Sequence, residues 1–219
     1  MTKARCTPLW QPIPCPLSDI EGLESWLGDM AAQGLVPVTI GQNFARFRCS
    51  QPKAVRYRLN AKPAPETFLE SAPGPPDGEE RALAQECGWY YVTAVGDFFL
   101  YACEDRDAPE LNTDPQVQAL SLRYAKRQVF APAGLLAYWL VTFWVRYAMG
   151  VWHTPVIDFV ELGWLSFCYL GLLAAALVSV VHNTALLYRF SARLTRGAEP
   201  ERHKNWRKGA GRYLVGRVL

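Results

Sequence analysis

Three hydrophobic patterns succeed one another along the chain. The first is helical. Leu23, Trp26, Leu27, Met30 and Ala31 recur at a spacing that puts them on one face, after Ser18 or Asp19 as N-cap and Glu21 in the first turn. Gly34 supplies the C-cap. The second is strand-like. Val36–Ile40 and Phe44–Cys49 flank the turn Gly41-Gln42-Asn43, and Val55–Asn60 alternates, with Val55, Tyr57 and Leu59 opposite Arg56 and Arg58. A proline-rich connection follows (Pro63, Pro65, Pro73, Pro75, Pro76), with Thr67–Ser71 able to hold a turn of helix. Asp77–Cys87 then predicts a helix ending at Gly88. Trp89–Val95 and Asp97–Cys103 predict another strand pair about Gly96-Asp97. Asp114-Pro115 predicts an N-cap and first helical residue for a helix through Ala119, Leu122 and Tyr124. The third pattern is continuous. Phe130–Trp152 is interrupted only by Arg146, and Leu162–Tyr188 carries no charge. Each exceeds the roughly 20 residues needed to cross about 30 Å of hydrocarbon, and Arg146 lies near enough to one end to snorkel.

The first two patterns repeat. At an offset of 54 residues Gly34 matches Gly88, Val38 matches Val92, Thr39 matches Thr93, Phe44 matches Phe98 and Cys49 matches Cys103. The shared order is helix, glycine, strand, turn, strand. The expected fold class is α+β: a small soluble domain with two helix-strand-strand units on an antiparallel sheet, followed by two transmembrane α-helices. The boundaries are a domain at 1–118, a basic juxtamembrane helix at 119–129, spans at 130–152 and 162–188, an external loop at 153–161 and a basic tail at 189–219.

Charge supports the membrane reading. Residues 1–120 hold ten Lys/Arg against sixteen Asp/Glu, and residues 189–219 hold nine Lys/Arg against two Glu. The connector Gly150–Glu161 has no Lys or Arg. Basic flanks and an uncharged or acidic hairpin predict both termini in the cytoplasm. The proline-rich start has no apolar core of the signal-peptide kind. The six cysteines show no metal-binding spacing, and free thiols are expected in a reducing compartment.

The stretch from Pro14-Cys15-Pro16-Leu17 through Ser25-Trp26-Leu27 to Asp29-Met30-Ala31-Ala32-Gln33-Gly34-Leu35, with Arg56-Tyr57-Arg58-Leu59 and Glu86-Cys87-Gly88-Trp89-Tyr90-Tyr91-Val92, carries a resemblance. Together these motifs resemble a bacterial family catalogued as a domain of unknown function, number twenty-eight twelve, over about residues 14–105. The resemblance implies a small protein of the bacterial inner membrane. It also implies, by genomic association with PadR-type repressors, a link to transcriptional or envelope-stress regulation. It implies no catalytic or ligand residues.

The chain itself offers none. His153, His182 and His203 lie outside the soluble domain, and there is no P-loop, HExxH or nucleophile elbow. The clusters Glu79-Glu80 and Glu104-Asp105 read as solvated ends. No enzyme, metal or cofactor is expected. Two surfaces stand as candidates. Arg46, Arg48, Arg56 and Arg58 alternate with apolar neighbours. If Phe47 paired with Tyr57, Arg48 would oppose Arg56 and Arg46 would oppose Arg58, an unfavourable set that an anionic partner would relieve. Such a partner would be a lipid headgroup, a phosphate or an acidic protein segment, rather than nucleic acid. The alternative is a solvated sheet face. Gly171, Ala175 and Ser179 form a small-residue stripe for helix packing, within the chain or in a homo-oligomer. Trp26, Trp89, Tyr90 and Tyr91 read as core or as a pocket lining. His182 and Asn183 read as interfacial groups. The tail, with Trp206 and Tyr213 among its basic residues, reads either as lying on anionic lipid or as a topology signal with a disordered end. The function expected is a membrane-anchored cytoplasmic binding or regulatory protein whose partners include membrane lipids and a protein, with a transcriptional regulator as one candidate. The alternative is a structural or accessory subunit of a membrane complex.

Overall fold

The computed structural model describes residues 9–63, 74–105, 107–111, 164–197 and 204–207, with single positions between 118 and 149 and position 210. They fall into two units, Met1–Ala125 with Arg189–Leu219, and Lys126–Tyr188.

In the first unit β1 (Leu9–Pro12) precedes α1 (Ile20–Ala32), β2 (Leu35–Ile40) and β3 (Phe44–Cys49); β4 (Arg56–Ala61) precedes α2 (Gly78–Glu86), β5 (Tyr90–Val95) and β6 (Phe98–Cys103). The predicted caps hold. Asp19 accepts from the Gly22 N–H at 3.1 Å, and the apolar face of α1 (Ile20, Leu23, Trp26, Leu27, Ala31) is buried. Trp26 meets Phe47 of β3 edge-on at 5.5 Å, so α1 packs on that face of its own sheet. Gly34 ends the helix at φ +82, where an L side chain is strained, and a Cβ there would stand 2.6 Å from the Ser50 carbonyl oxygen. Gly88 ends α2 at φ +81.

The strands form two antiparallel three-stranded sheets, β1-β3-β2 and β4-β6-β5, rather than one sheet. Their identical order extends the duplication beyond what the matched residues alone implied. Each unit is β-α-β-β. Each carries a register shift at the same place, between Pro37 and Thr39 in one and between Tyr91 and Thr93 in the other, 54 residues on. The bulged residue is therefore Val38 or Val92, the matched pair. The strand missing from the sequence reading is β1. It is four residues long and ends in proline, too short to show alternation. Its insertion beside β3 leaves β4 free to join β6. The sheets meet along β2 and β5, and α1 contacts both β2 and β4. Around α2, Ala84, Trp89, Phe99, Tyr101 and Cys103 close a second core cluster.

α3 (Trp164–Thr195) is a single helix of 32 residues. Within it Leu173–Thr195 is long and apolar enough to cross a membrane, the one such helix among the described residues. Most of the predicted span 130–152, the loop 153–161, most of the 119–129 helix and the Thr67–Ser71 turn lie outside the described residues.

Candidate functional site

The four candidate arginines do not share a face. β3 pairs with β1 and β2, and β4 pairs with β6, so the supposed opposition of Arg48 to Arg56 and Arg46 to Arg58 does not occur. Arg46 and Arg48 stand exposed on β3. Arg58 is only 8% exposed and lies inside an ion network. Its Nη1 donates to Glu24 Oε2 at 2.8 Å, and its Nε and Nη2 donate to Glu110 Oε2 and Oε1 at 2.9 and 3.2 Å. Glu24 reaches from α1 and also accepts the Leu59 N–H at 2.8 Å, which satisfies an edge-strand donor that no strand pairs. Arg56 donates to the carbonyls of Asp105 and Ala108 at 2.9 and 2.7 Å and lies 5.2 Å over the Trp89 ring. Trp89 in turn donates to the Pro109 carbonyl at 2.8 Å. Arg56 and Arg58 therefore hold the 105–110 segment and α1 against β4. They are structural. Trp26 and Trp89 are core, not pocket walls.

Burial pushes Glu24 up to about 7, with Arg58 and the Leu59 N–H opposing the shift. Arg58 is raised by its two carboxylates although burial acts the other way. Cys15 is pushed up to about 12, by burial first and Asp19 second, which makes it a poor nucleophile at neutral pH. Cys15, Cys87 and Cys103 are free thiols. Cys49 is disulfide-bonded. The free thiol expected there is corrected: cysteine spacing along the chain does not reveal which thiols the fold brings into a bridge.

A second site was not foreseen. The polar face of α1 carries Glu21, Ser25 and Asp29 at four-residue steps, above the capping Asp19. The C-terminal segment binds along it. Arg193 pairs with Glu21, Lys204 Nζ with Asp19 at 2.6 Å, the Lys204 N–H with Ser25 Oγ at 2.9 Å, and Trp206 Nε1 with Asp29 Oδ2 at 2.9 Å. Ser25, Asp29, Lys204, Asn205, Trp206 and Arg207 line a cavity of about 360 Å³. Neither tail reading anticipated a segment seated on the chain's own helix. The signal was the acidic stripe on α1, but its partners are more than 170 residues away.

The small-residue stripe lies on α3. Gly171, Ala175 and Ser179 are exposed, and a Cβ on Gly171 would meet nothing within 4 Å. Asn183 donates to Ser179 Oγ at 3.3 Å. Among the described residues no three His, Cys, Asp or Glu are grouped to hold a metal ion.

Residues 19–133 match the family model described as "Protein of unknown function (DUF2812)", over more than half of the chain. The chain belongs to the DUF2812 family. The match opens at Asp19, so it takes in α1 through β6 but not β1, and it ends before α3. No curated protein and no solved structure matches this DUF2812 chain.

Proposed function

We propose that this DUF2812 protein is a membrane-anchored regulatory or binding protein of the bacterial inner membrane. In this reading the duplicated β-α-β-β domain and the C-terminal tail both lie on the cytoplasmic side. The carrying observation is the tail contact. Glu21, Asp19 and Asp29 contact Arg193, Lys204 and Trp206, which supports one compartment for both segments and, with it, an even number of crossings between them. α3 supplies one crossing, with Val178 and Val181 68% and 59% exposed on an apolar helix, a costly arrangement in water and an ordinary one in lipid. The apolar run 130–152 supplies the other. The basic flanks and the Lys/Arg-free connector favour cytoplasmic termini. Regulation, with a transcriptional regulator as partner, rests on the family resemblance.

The test has two stages. Reporter fusions at both ends should read cytoplasmic, and the protein should resist carbonate extraction; termini on opposite sides would refute the two-span reading. Crosslinking in native membranes with full-length protein as bait should then capture a cytoplasmic protein. The open Gly171–Ala175–Ser179 face favours a second reading, an accessory subunit of a membrane complex. If only membrane proteins are captured, and Ala175→Leu abolishes their capture, that reading replaces the first.

A further inference from the structure

The two repeats bury different faces. In the β4-β6-β5 sheet both sides are covered: Phe99, Tyr101 and Cys103 face one way, Phe98, Leu100 and Ala102 the other, and all are buried. In the β1-β3-β2 sheet the described residues cover only the inner side. Ala45 and Phe47 are fully buried, whereas Phe44, Arg46 and Arg48 are exposed. At the repeat offset Phe44 corresponds to Phe98, Arg46 to Leu100 and Arg48 to Ala102. Trp10, opposite Arg46 in the register, takes the place held by Leu59, opposite Leu100.

The open face is not simply a solvated one. Trp10 is 59% exposed and Phe44 50%, and Val38 at the bulge is exposed beside them. Arg46 lies between Trp10 on β1 and Thr39 on β2. The three strands contain no Asp or Glu, although residues 1–120 as a whole carry six more acidic than basic groups. Tryptophan and arginine beside aliphatic and phenyl groups, with carboxylates excluded, suit the boundary between anionic headgroups and acyl chains. Arginine also pairs bidentately with phosphate.

We propose that the exposed face of the β1-β3-β2 sheet docks on an anionic bilayer surface, Trp10 entering the headgroup region and Arg46 and Arg48 pairing with lipid phosphates. The proposal rests on the membrane-anchored reading, which ties the domain covalently to a bilayer.

The experiment uses full-length protein in nanodiscs of phosphatidylcholine, with and without phosphatidylglycerol. The fluorescence of Trp10 is taken as the difference between wild type and Trp10→Phe. Lipids brominated high on the acyl chain should quench that difference in phosphatidylglycerol discs and much less in phosphatidylcholine alone. Each arginine near an anionic surface is worth roughly fivefold in equilibrium, so Arg46→Gln with Arg48→Gln should lower the docked-to-free ratio roughly 25-fold. Thr39→Arg should raise it, a gain that misfolding cannot mimic. Unquenched, water-like Trp10 emission in both discs overturns the proposal. So does emission that is shielded but unquenched and depends on two chains per disc, because a second copy then covers the face. Failure of the protein to stay in washed discs would instead overturn the membrane-anchored reading.

Discussion

Glu24 makes folding of the domain depend on pH, in a direction opposite to that of an ordinary salt-bridged carboxylate. Its carboxyl is buried between α1 and β4, and Arg58, its cation, is shared with Glu110. Burial therefore outweighs pairing, and the group rises from 4.5 to about 7 on folding. Between those values the folded chain binds more protons than the unfolded one, so stability falls as pH rises. The contribution is fully present below pH 4.5 and gone above pH 7. At about 1.4 kcal/mol per unit the loss is about 3 kcal/mol. Glu24→Gln cannot ionise. It keeps one acceptor oxygen where Glu24 offers two, one to Arg58 and one to the Leu59 N–H. That loss is the same at every pH and cancels from the pH dependence. The assay is urea unfolding of full-length protein in detergent, followed by Trp fluorescence, since Trp26 and Trp89 are buried in this domain. Asp97 is also raised by burial and titrates in both proteins, so the informative quantity is the difference between variant and wild type. That difference should move by about 3 kcal/mol in favour of the variant between pH 4.5 and pH 8. Parallel stability curves, or wild type gaining on the variant as pH rises, would refute the reasoning.

Four further outcomes follow from the same contacts. Arg58→Ala leaves Glu24 and Glu110 without their shared cation and should cost about 3–5 kcal/mol in urea unfolding, whereas Arg46→Ala should change stability by less than about 0.5 kcal/mol. Gly34→Ala should destabilise more than Gly88→Ala: each pays about 1–2 kcal/mol for its left-handed backbone, but only position 34 also drives a Cβ into a carbonyl oxygen, and equal melting shifts would contradict this. Lys204→Glu sets a like charge against Asp19 and should free the tail, seen as faster tryptic cleavage there with the domain intact. Alkylation of the purified protein should leave Cys49 unmodified until a reductant is added; ready labelling without reductant would contradict the bridge.

Local structure was legible wherever local chemistry decides it. Asp19 caps α1, and Gly34 and Gly88 end the two helices because only glycine tolerates those dihedrals without strain. β3 falls on Phe44–Cys49 as read, since buried Ala45 and Phe47 alternate with exposed Phe44, Arg46 and Arg48. What alternation does not encode is the neighbour. It placed Arg56 and Arg58 together on one side of β4, but said nothing of whether α1 and the 105–110 segment would cover that side. Arg58 finds Glu24 and Glu110 across separations of 34 and 52 residues, beyond any local pattern. The same holds for the tail, whose docking depends on the spacing of charges on a helix near the other end of the chain.

The duplication explains where to look for function. Two copies of one β-α-β-β unit would be expected to bury equivalent faces, and the register shows that the backbones are equivalent down to the bulge. The second copy follows that expectation with apolar residues on both sides of β6. The first departs from it twice: β3 exchanges Leu and Ala for Arg46 and Arg48 on a face left open, and α1 keeps an acidic stripe that takes the basic tail. Neither departure is needed to close a core, because the inner side of each sheet is already packed by its own helix. The proposed docking on an anionic bilayer would use the exposed aromatic and basic groups on one side of the first repeat, while the ion pairs to the tail occupy α1 on the other. Arg58 and Glu24 tie the two repeats together across 34 residues, so the contact between the open-faced copy and the fully packed one hangs on a buried ion network that no local pattern announces.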